Sequence, residues 1–144
     1  MSGSTDQSLP HAELPLIEQG VDYDARYSWR LEQRDRFVVL TVAGRVSKAP
    51  SIPFSEKADA VLNTEKPQRL MVDFSACEHI SSGALGYLVR FFRTSASFGG
   101  QVLGVAPNDH VRGLMNVLGM DAFLFTVTSW DMAERFFAAQ EPEA

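Results

Sequence analysis

Residues 70–105 restrict the fold more than any other part of the sequence. An apolar run, Leu70-Met-Val-Asp-Phe74, is followed by a polar loop, a segment with helical periodicity, and a second short run, Gln101-Val-Leu-Gly-Val105. In the middle segment Leu85, Leu88, Val89, Phe92 and Ala96 recur at about 100° per residue, which predicts a helix with one core-facing stripe. Gly99-Gly100 supplies its C-terminal stop. A helical crossover between two strands returns the chain to the sheet in the same direction, so this unit demands at least partly parallel pairing. The chain therefore belongs among α/β folds.

The flanking segments extend the same alternation. Tyr27-Ser-Trp-Arg-Leu31 and Phe37-Val-Val-Leu-Thr-Val42 read as a hairpin around the charged Glu32 to Arg36 turn, closing at Gly44. After a Ser- and Pro-containing loop from Arg45 to Ile52, Pro53 stands at a first helical position, and Phe54, Ala58, Val61 and Leu62 recur at helical spacing. The segment Ser75 to Ser81 reads as a strand-to-helix loop. Asn108 caps a helix with Val111, Leu114, Met115 and Leu118 inward, and Gly119 ends it. Phe123 to Val127 is a last short strand. Thr128 and Asp131 have the spacing of a capping box ahead of Trp130, Ala133, Phe136 and Phe137. The expected architecture is a single-layer, mixed, four- or five-stranded sheet with about four helices, centred near 54–62, 83–97, 109–118 and 130–138.

A chain of 144 residues has room for one hydrophobic core. Prolines, a glycine and mostly small or polar residues at the start make residues 1–24 a flexible N-terminal tail, with Leu14, Leu16 and Ile17 as an apolar tether. Residues 25–139 form the folded domain, and 140–144 fray. Thirteen Lys and Arg against eighteen Asp and Glu leave a formal charge of -5. With no basic groove visible in the sequence, this argues against a direct nucleic-acid partner. Cys77 is the only cysteine, and neither a secretory h-region nor an apolar run long enough to cross a bilayer is present. A reducing, cytoplasmic setting without direct membrane insertion is expected.

Chemistry is sparse. Asp73, His79 or His110, and Ser82 lack the Gly-x-Ser-x-Gly elbow of a hydrolase, and no spacing links the three. Histidines at 11, 79 and 110 with one cysteine do not have structural-zinc spacing. The glycines fit neither a dinucleotide nor a Walker pattern. No enzyme activity, metal or cofactor is expected. The loop Cys77-Glu-His-Ile-Ser-Ser-Gly-Ala84 is the informative segment, because it ends at the start of the long helix, where free N–H groups and the helix dipole favour an anion. Either Ser81 or Ser82 is suited to cap that helix. A phosphate on one of them would add roughly two negative charges and three acceptor oxygens. On the same helix Tyr87, Phe91 and Phe98 lie roughly 120° from the core stripe. They either pack under another element or meet a partner.

Residues Phe37 to Phe137 resemble the STAS family, which includes bacterial anti-sigma-factor antagonists. Val72-Asp-Phe-Ser-Ala-Cys-Glu-His-Ile80 is similar to the family's strand and loop. Ser81-Ser-Gly-Ala-Leu85 falls on its Asp-Ser-Ser/Thr-Gly-Leu signature. Phe98-Gly-Gly and Val111-Arg through Leu118-Gly-Met complete the pattern. In this register Ser82 is the phosphoacceptor and Ser81 stands where the family has Asp. A one-residue slip makes Ser81 the acceptor instead, with Ile80 at the Asp position. The resemblance implies a non-enzymatic switch that binds an anti-sigma factor with serine kinase activity, is phosphorylated by it, and is reset by a phosphatase. The implied partner surface comprises Gly44, Arg45, Ile80, Ser81, Ser82, Gly83, Tyr87 and Phe91. The family also includes small subunits of phospholipid ABC transporters, and a constitutive, unphosphorylated binding module is a third reading.

Overall fold

The computed structural model describes residues 14–122 and 124–140. Its strands are β1 (Leu16–Asp22), β2 (Ala25–Arg34), β3 (Phe37–Val46), β4 (Arg69–Asp73), β5 (Cys77–Ile80), β6 (Gln101–Val105) and β7 (Phe125–Val127). The helices are α1 (Ile52–Glu65), α2 (Ser82–Ser97), α3 (Asp109–Val117) and α4 (Trp130–Ala139), with a short 3-10 turn at Met120–Ala122. One mixed sheet runs in the order β1-β2-β3-β4-β6-β7, with β5 added to β3. β1, β2 and β3 pair antiparallel, and the remaining pairs are parallel.

Apolar residues on both sides of the central strands decide where the helices go. Val38, Leu40, Leu70 and Val72 share a core with Leu62, Leu85, Leu88 and Val111 from α1, α2 and α3. Their sequence neighbours Phe37, Val39 and Met71 alternate to the opposite face and join Leu103, Val105, Ala133 and Phe137 in a second core. Thus α4 covers the face that the other helices leave open, and a single layer of helices does not suffice. Fully burying a side chain such as Phe137 contributes about 1.5–3 kcal/mol, so this short helix is held by its packing.

The four helices lie where the periodicity puts them, whereas the sheet gains two strands. Leu16–Asp22, assigned to the tail, pairs with β2 in unbroken register from Leu16↔Leu31 to Asp22↔Ala25. The turn between them uses Tyr23 (φ 50°) and Asp24 (φ 63°). Two positive φ values in a two-residue loop match the twist of flanking antiparallel strands. Leu16 is buried, which fixes the register. The rest of the tail reading, residues 1–13, lies outside the described residues, as do 141–144 and Phe123. The second added strand is β5, inside the segment read as a loop. The cap of α4 is Ser129, whose Oγ accepts from Met132 N at 3.2 Å. Thr128, assigned that role from sequence, instead turns its hydroxyl to Met132 Sδ.

β3 carries the architecture because it pairs with β2, β4 and β5. Its register with β5 shifts at Gly44/Arg45, giving Gly44↔Cys77, Arg45↔His79 and Val46↔Ile80. Gly44 has φ +81°, and a Cβ there would stand 2.1 Å from the Arg26 carbonyl oxygen. Its amide donates to Ala76 O at 2.8 Å. Gly44→Ala therefore meets both a left-handed backbone and a collision with β2. It will lower stability by about 2 kcal/mol or more, read as a reduced urea midpoint. An unchanged midpoint would mean that β2 and β3 do not approach this closely.

Candidate functional site

β5 delivers the serine pair to the end of β3. Its last residue, Ile80, pairs with Val46, and Ser81 N donates to Val46 O at 2.9 Å. Ser81 is extended (φ −86°, ψ 164°), and its Oγ accepts from Ala84 N at 3.1 Å. Its carbonyl accepts from Leu85 N at 3.0 Å. Ser81 is thus the N-cap, and its hydroxyl is committed to the first turn. Ser82 is the first helical residue and is exposed, as is Gly83. An α-helix has no internal acceptor for its first amides, so those of Ser82 and Gly83 are left to an outside group. No acidic side chain occupies that first turn.

The loop between β3 and α1 is fixed beside this helix end by β1. Ser51 caps α1 by accepting from Phe54 N at 3.3 Å, and its own amide donates to the Glu18 carboxylate at 3.0 Å. The Ser51 hydroxyl also donates to Glu18, and Ser47 Oγ donates to Asp22. On the other flank, Asn108 caps α3 through Val111 N, and its Nδ2 donates to the carbonyls of Cys77 and Glu78 at 3.1 and 3.2 Å. One side chain therefore joins the start of α3 to β5.

Arg45, Ser82 and Gly83 are exposed, with Ser81 and Gly44 half-buried, so this part of the sequence-derived surface is accessible. Ile80, Tyr87 and Phe91 are different. Their relative exposures are 0%, 7% and 1%, and all three belong to the main core. The reason is that α2 is packed on two sides. The Tyr87 ring meets Trp29 edge-on at 5.4 Å, and Arg90 of α2 pairs with Asp59 of α1. Burial raises the Tyr87 hydroxyl well above the ordinary tyrosine value, with the Asp59 charge adding to the effect. These three side chains are removed from the partner surface. Ala96 likewise leaves the core stripe: it is exposed, and Ser95 is buried in its place, donating to Phe91 O at 2.9 Å.

Other polar groups are structural. Asp73 accepts from Ser75 N at 2.9 Å and from Trp130 Nε1 at 3.0 Å, so each carboxylate oxygen already holds a structural bond. Burial pushes the Cys77 thiol up to about 11, so it stays protonated at neutral pH. Two neighbours of the serine pair were not singled out for this surface from sequence. His79 and His110 stack at 4.0 Å between centroids with 23° between planes, and His79 lies opposite Arg45 across the strands. Tyr23, at the β1–β2 turn, is 89% exposed. The turn places Tyr23 in one depression with Arg45, Ser47, His79 and Ser81. Among the described residues no three potential ligand side chains gather as a metal site, and no helix is long and apolar enough to cross a membrane.

Comparison with known proteins agrees with this architecture. The family model described as "Mlab, STAS domain" matches residues 29–127. No curated protein matches the chain. Among solved structures, an anti-sigma factor antagonist from Mycobacterium paratuberculosis is 22% identical, with a TM-score of 0.61 over 87% of this chain and 95% of that one. SpoIIAA in its unphosphorylated form is 17% identical, with a TM-score of 0.58 over 76% of this chain and 96% of that one. The Bacillus cell fate determinant SpoIIAA in the phosphorylated form is 17% identical, with a TM-score of 0.54 over 75% and 98%. At such identities the likeness is one of fold.

The different employment of the two serines is measurable by mutation. Ser81→Ala removes the cap and will cost about 1 kcal/mol. Ser82→Ala, at an exposed first helical position, will stay within about 0.5 kcal/mol of the parent. Paired denaturation curves check this; an equal loss in both variants, or the larger loss in Ser82→Ala, would reverse the assignment.

Proposed function

The chain belongs to the STAS domain family, and we propose that it acts there as a partner-switching anti-sigma-factor antagonist with Ser82 as its phosphoacceptor. The observation that carries this reading is the exposure of Ser82 at the first turn of α2, next to a serine whose hydroxyl is already used as a cap. A kinase needs a hydroxyl it can reach without opening the helix, and Ser82 offers one. The solved structures of like fold support the same reading, since they include two anti-sigma factor antagonists, one of them, SpoIIAA, in both phosphorylated and unphosphorylated forms.

The physical basis of the switch is charge at a preformed surface. With a neutral Ser82, the partner packs against Arg45, Gly83 and the adjoining loop from Gly44 to Ile52. A phosphate there adds about −2 charges that must be desolvated or paired at an interface assembled around a hydroxyl. The helix end accommodates that charge through its dipole and unpaired amides, so α2 does not have to unwind. The partner is an anti-sigma factor with serine kinase activity that supplies the ATP site, and a separate phosphatase restores the hydroxyl. This chain contributes the acceptor and the binding surface.

Ser81, standing where the family signature has Asp, supports a second reading: a constitutive binding module controlled by its amount. The two readings separate on the Ser82 variants. Ser82→Asp will weaken binding to the kinase-fold partner at least about tenfold, while Ser82→Ala keeps affinity close to the parent, each measured by calorimetry alongside a thermal melt. Equal affinity for all three proteins would select the constitutive module. Stable recovery with a membrane ATPase instead of a soluble kinase-fold protein would select the transporter-subunit reading.

A further inference from the structure

A cluster of cationic and imidazole groups lies beside the serine pair, with the Asp22 carboxylate, which accepts from Ser47, on the wall of the same depression. Arg45 and His79 are direct neighbours across β3 and β5, and His79 stacks on His110 from the start of α3. Ion pairs among the described residues go elsewhere: Arg112 holds Asp109 at 2.7 Å, and Arg45 pairs with no carboxylate. Asp22, the nearest acid from the hairpin, accepts from Ser47. Glu78 is exposed on β5, and its carbonyl is taken by Asn108. The first turn of α2 adds no negative charge.

These groups surround a cavity of about 240 Å³ between the β1–β2 turn and the serine pair, lined by Arg45, His79, Ser47, Ser81, Tyr23 and Asp22. A guanidinium presents a planar fork of donors suited to phosphate oxygens, and an imidazolium donates from its nitrogens. We propose that Arg45 and His79, with His110 stacked on the His79 ring, form a receptor for a phosphoryl group, Arg45 and His79 binding its oxygens at the mouth of this cavity. The group comes either from Ser82, one residue beyond the cavity wall, or from a free phosphate. The first source rests on the phosphoacceptor reading above; the second does not.

Titration of the imidazoles supports this geometry. His79 is held below the ordinary imidazole value, first by desolvation and then by His110 and Arg45. In the empty site a proton added to His79 meets the neighbouring Arg45 charge. A phosphate dianion favours the His79 imidazolium, which strengthens the receptor as pH falls until the phosphate takes up its own second proton at about pH 6. The receptor therefore couples retention of the phosphate to pH, a property that a helix N-terminus alone does not have.

The test is a pH titration of the His79 and His110 ring resonances by NMR on the full chain, in phosphate-free buffer. Three samples are compared: unmodified protein, unmodified protein with inorganic phosphate, and protein with phosphoserine installed at position 82 by genetic encoding. The expected result is a rise of about one pH unit in the His79 midpoint in the phosphoserine protein, largely abolished by Arg45→Gln. A saturable rise with inorganic phosphate identifies the free anion as a ligand. A rise confined to the phosphoserine sample identifies the group in cis. Identical titrations in all three samples would overturn the receptor. Because the phosphoserine is installed directly, that failure is independent of whether a partner kinase acts on Ser82.

Discussion

The approach of β5 to the end of β3 is the constraint on which the rest of the site depends. β3 is paired by β2 as far as Gly44 but by β4 only over Val38 to Thr41, so beyond the β4 pairing it has room for β5, which joins from Gly44 to Val46 with a register shift between Gly44 and Arg45. At that shift Gly44 has a left-handed backbone and no room for a Cβ beside the Arg26 carbonyl. Everything downstream inherits its position. Ser81 is bonded to Val46, α2 starts where it does because Ser81 caps it, and His79 faces Arg45 because the strands are in that register.

The site joins rigid and accessible parts in a definite way. Ser81 is consumed by the helix, and Asn108 ties β5 to α3. Glu18 and Asp22 hold the loop between β3 and α1, so β1 positions the surface, and Asp22 also lines its depression. The exposed remainder, Ser82 and Gly83 with Arg45, His79 and His110 alongside, sits on a frame with little freedom to rearrange. A charge placed there changes what the surface attracts more than it changes the fold. Under the proposed switch no element has to move, because a helix N-terminus favours negative charge.

The sequence carried the helices clearly, because their apolar periods are long and punctuated. Most of the α2 stripe, the proline in the first turn of α1 and the cap of α3 needed no tertiary knowledge. The strand β1 was not legible: its Tyr23-Asp24 turn has neither glycine nor asparagine to announce two positive φ values, and Leu16–Asp22 follows a polar, proline-containing stretch. β5 has four residues with apolar groups only at its ends, too short for a period to emerge. Tyr87 and Phe91 illustrate a different limit. Their angular position on α2 was right, but whether they meet solvent or protein is decided by α1 and Trp29, which helical periodicity does not encode. The choice between Ser81 and Ser82 as cap turns on one amide, that of Ala84, and adjacent hydroxyls look alike until its acceptor is known.

The central claim is that one hydroxyl of the pair builds the helix and the other carries the signal. Phosphosite mapping by intact mass and fragmentation, on the chain incubated with its kinase-fold partner and ATP, addresses it most directly. The account predicts a single phosphate on Ser82 and release of the partner as it accumulates. Phosphate confined to Ser81, or a complex that survives repeated ATP addition with both serines unmodified, would contradict it.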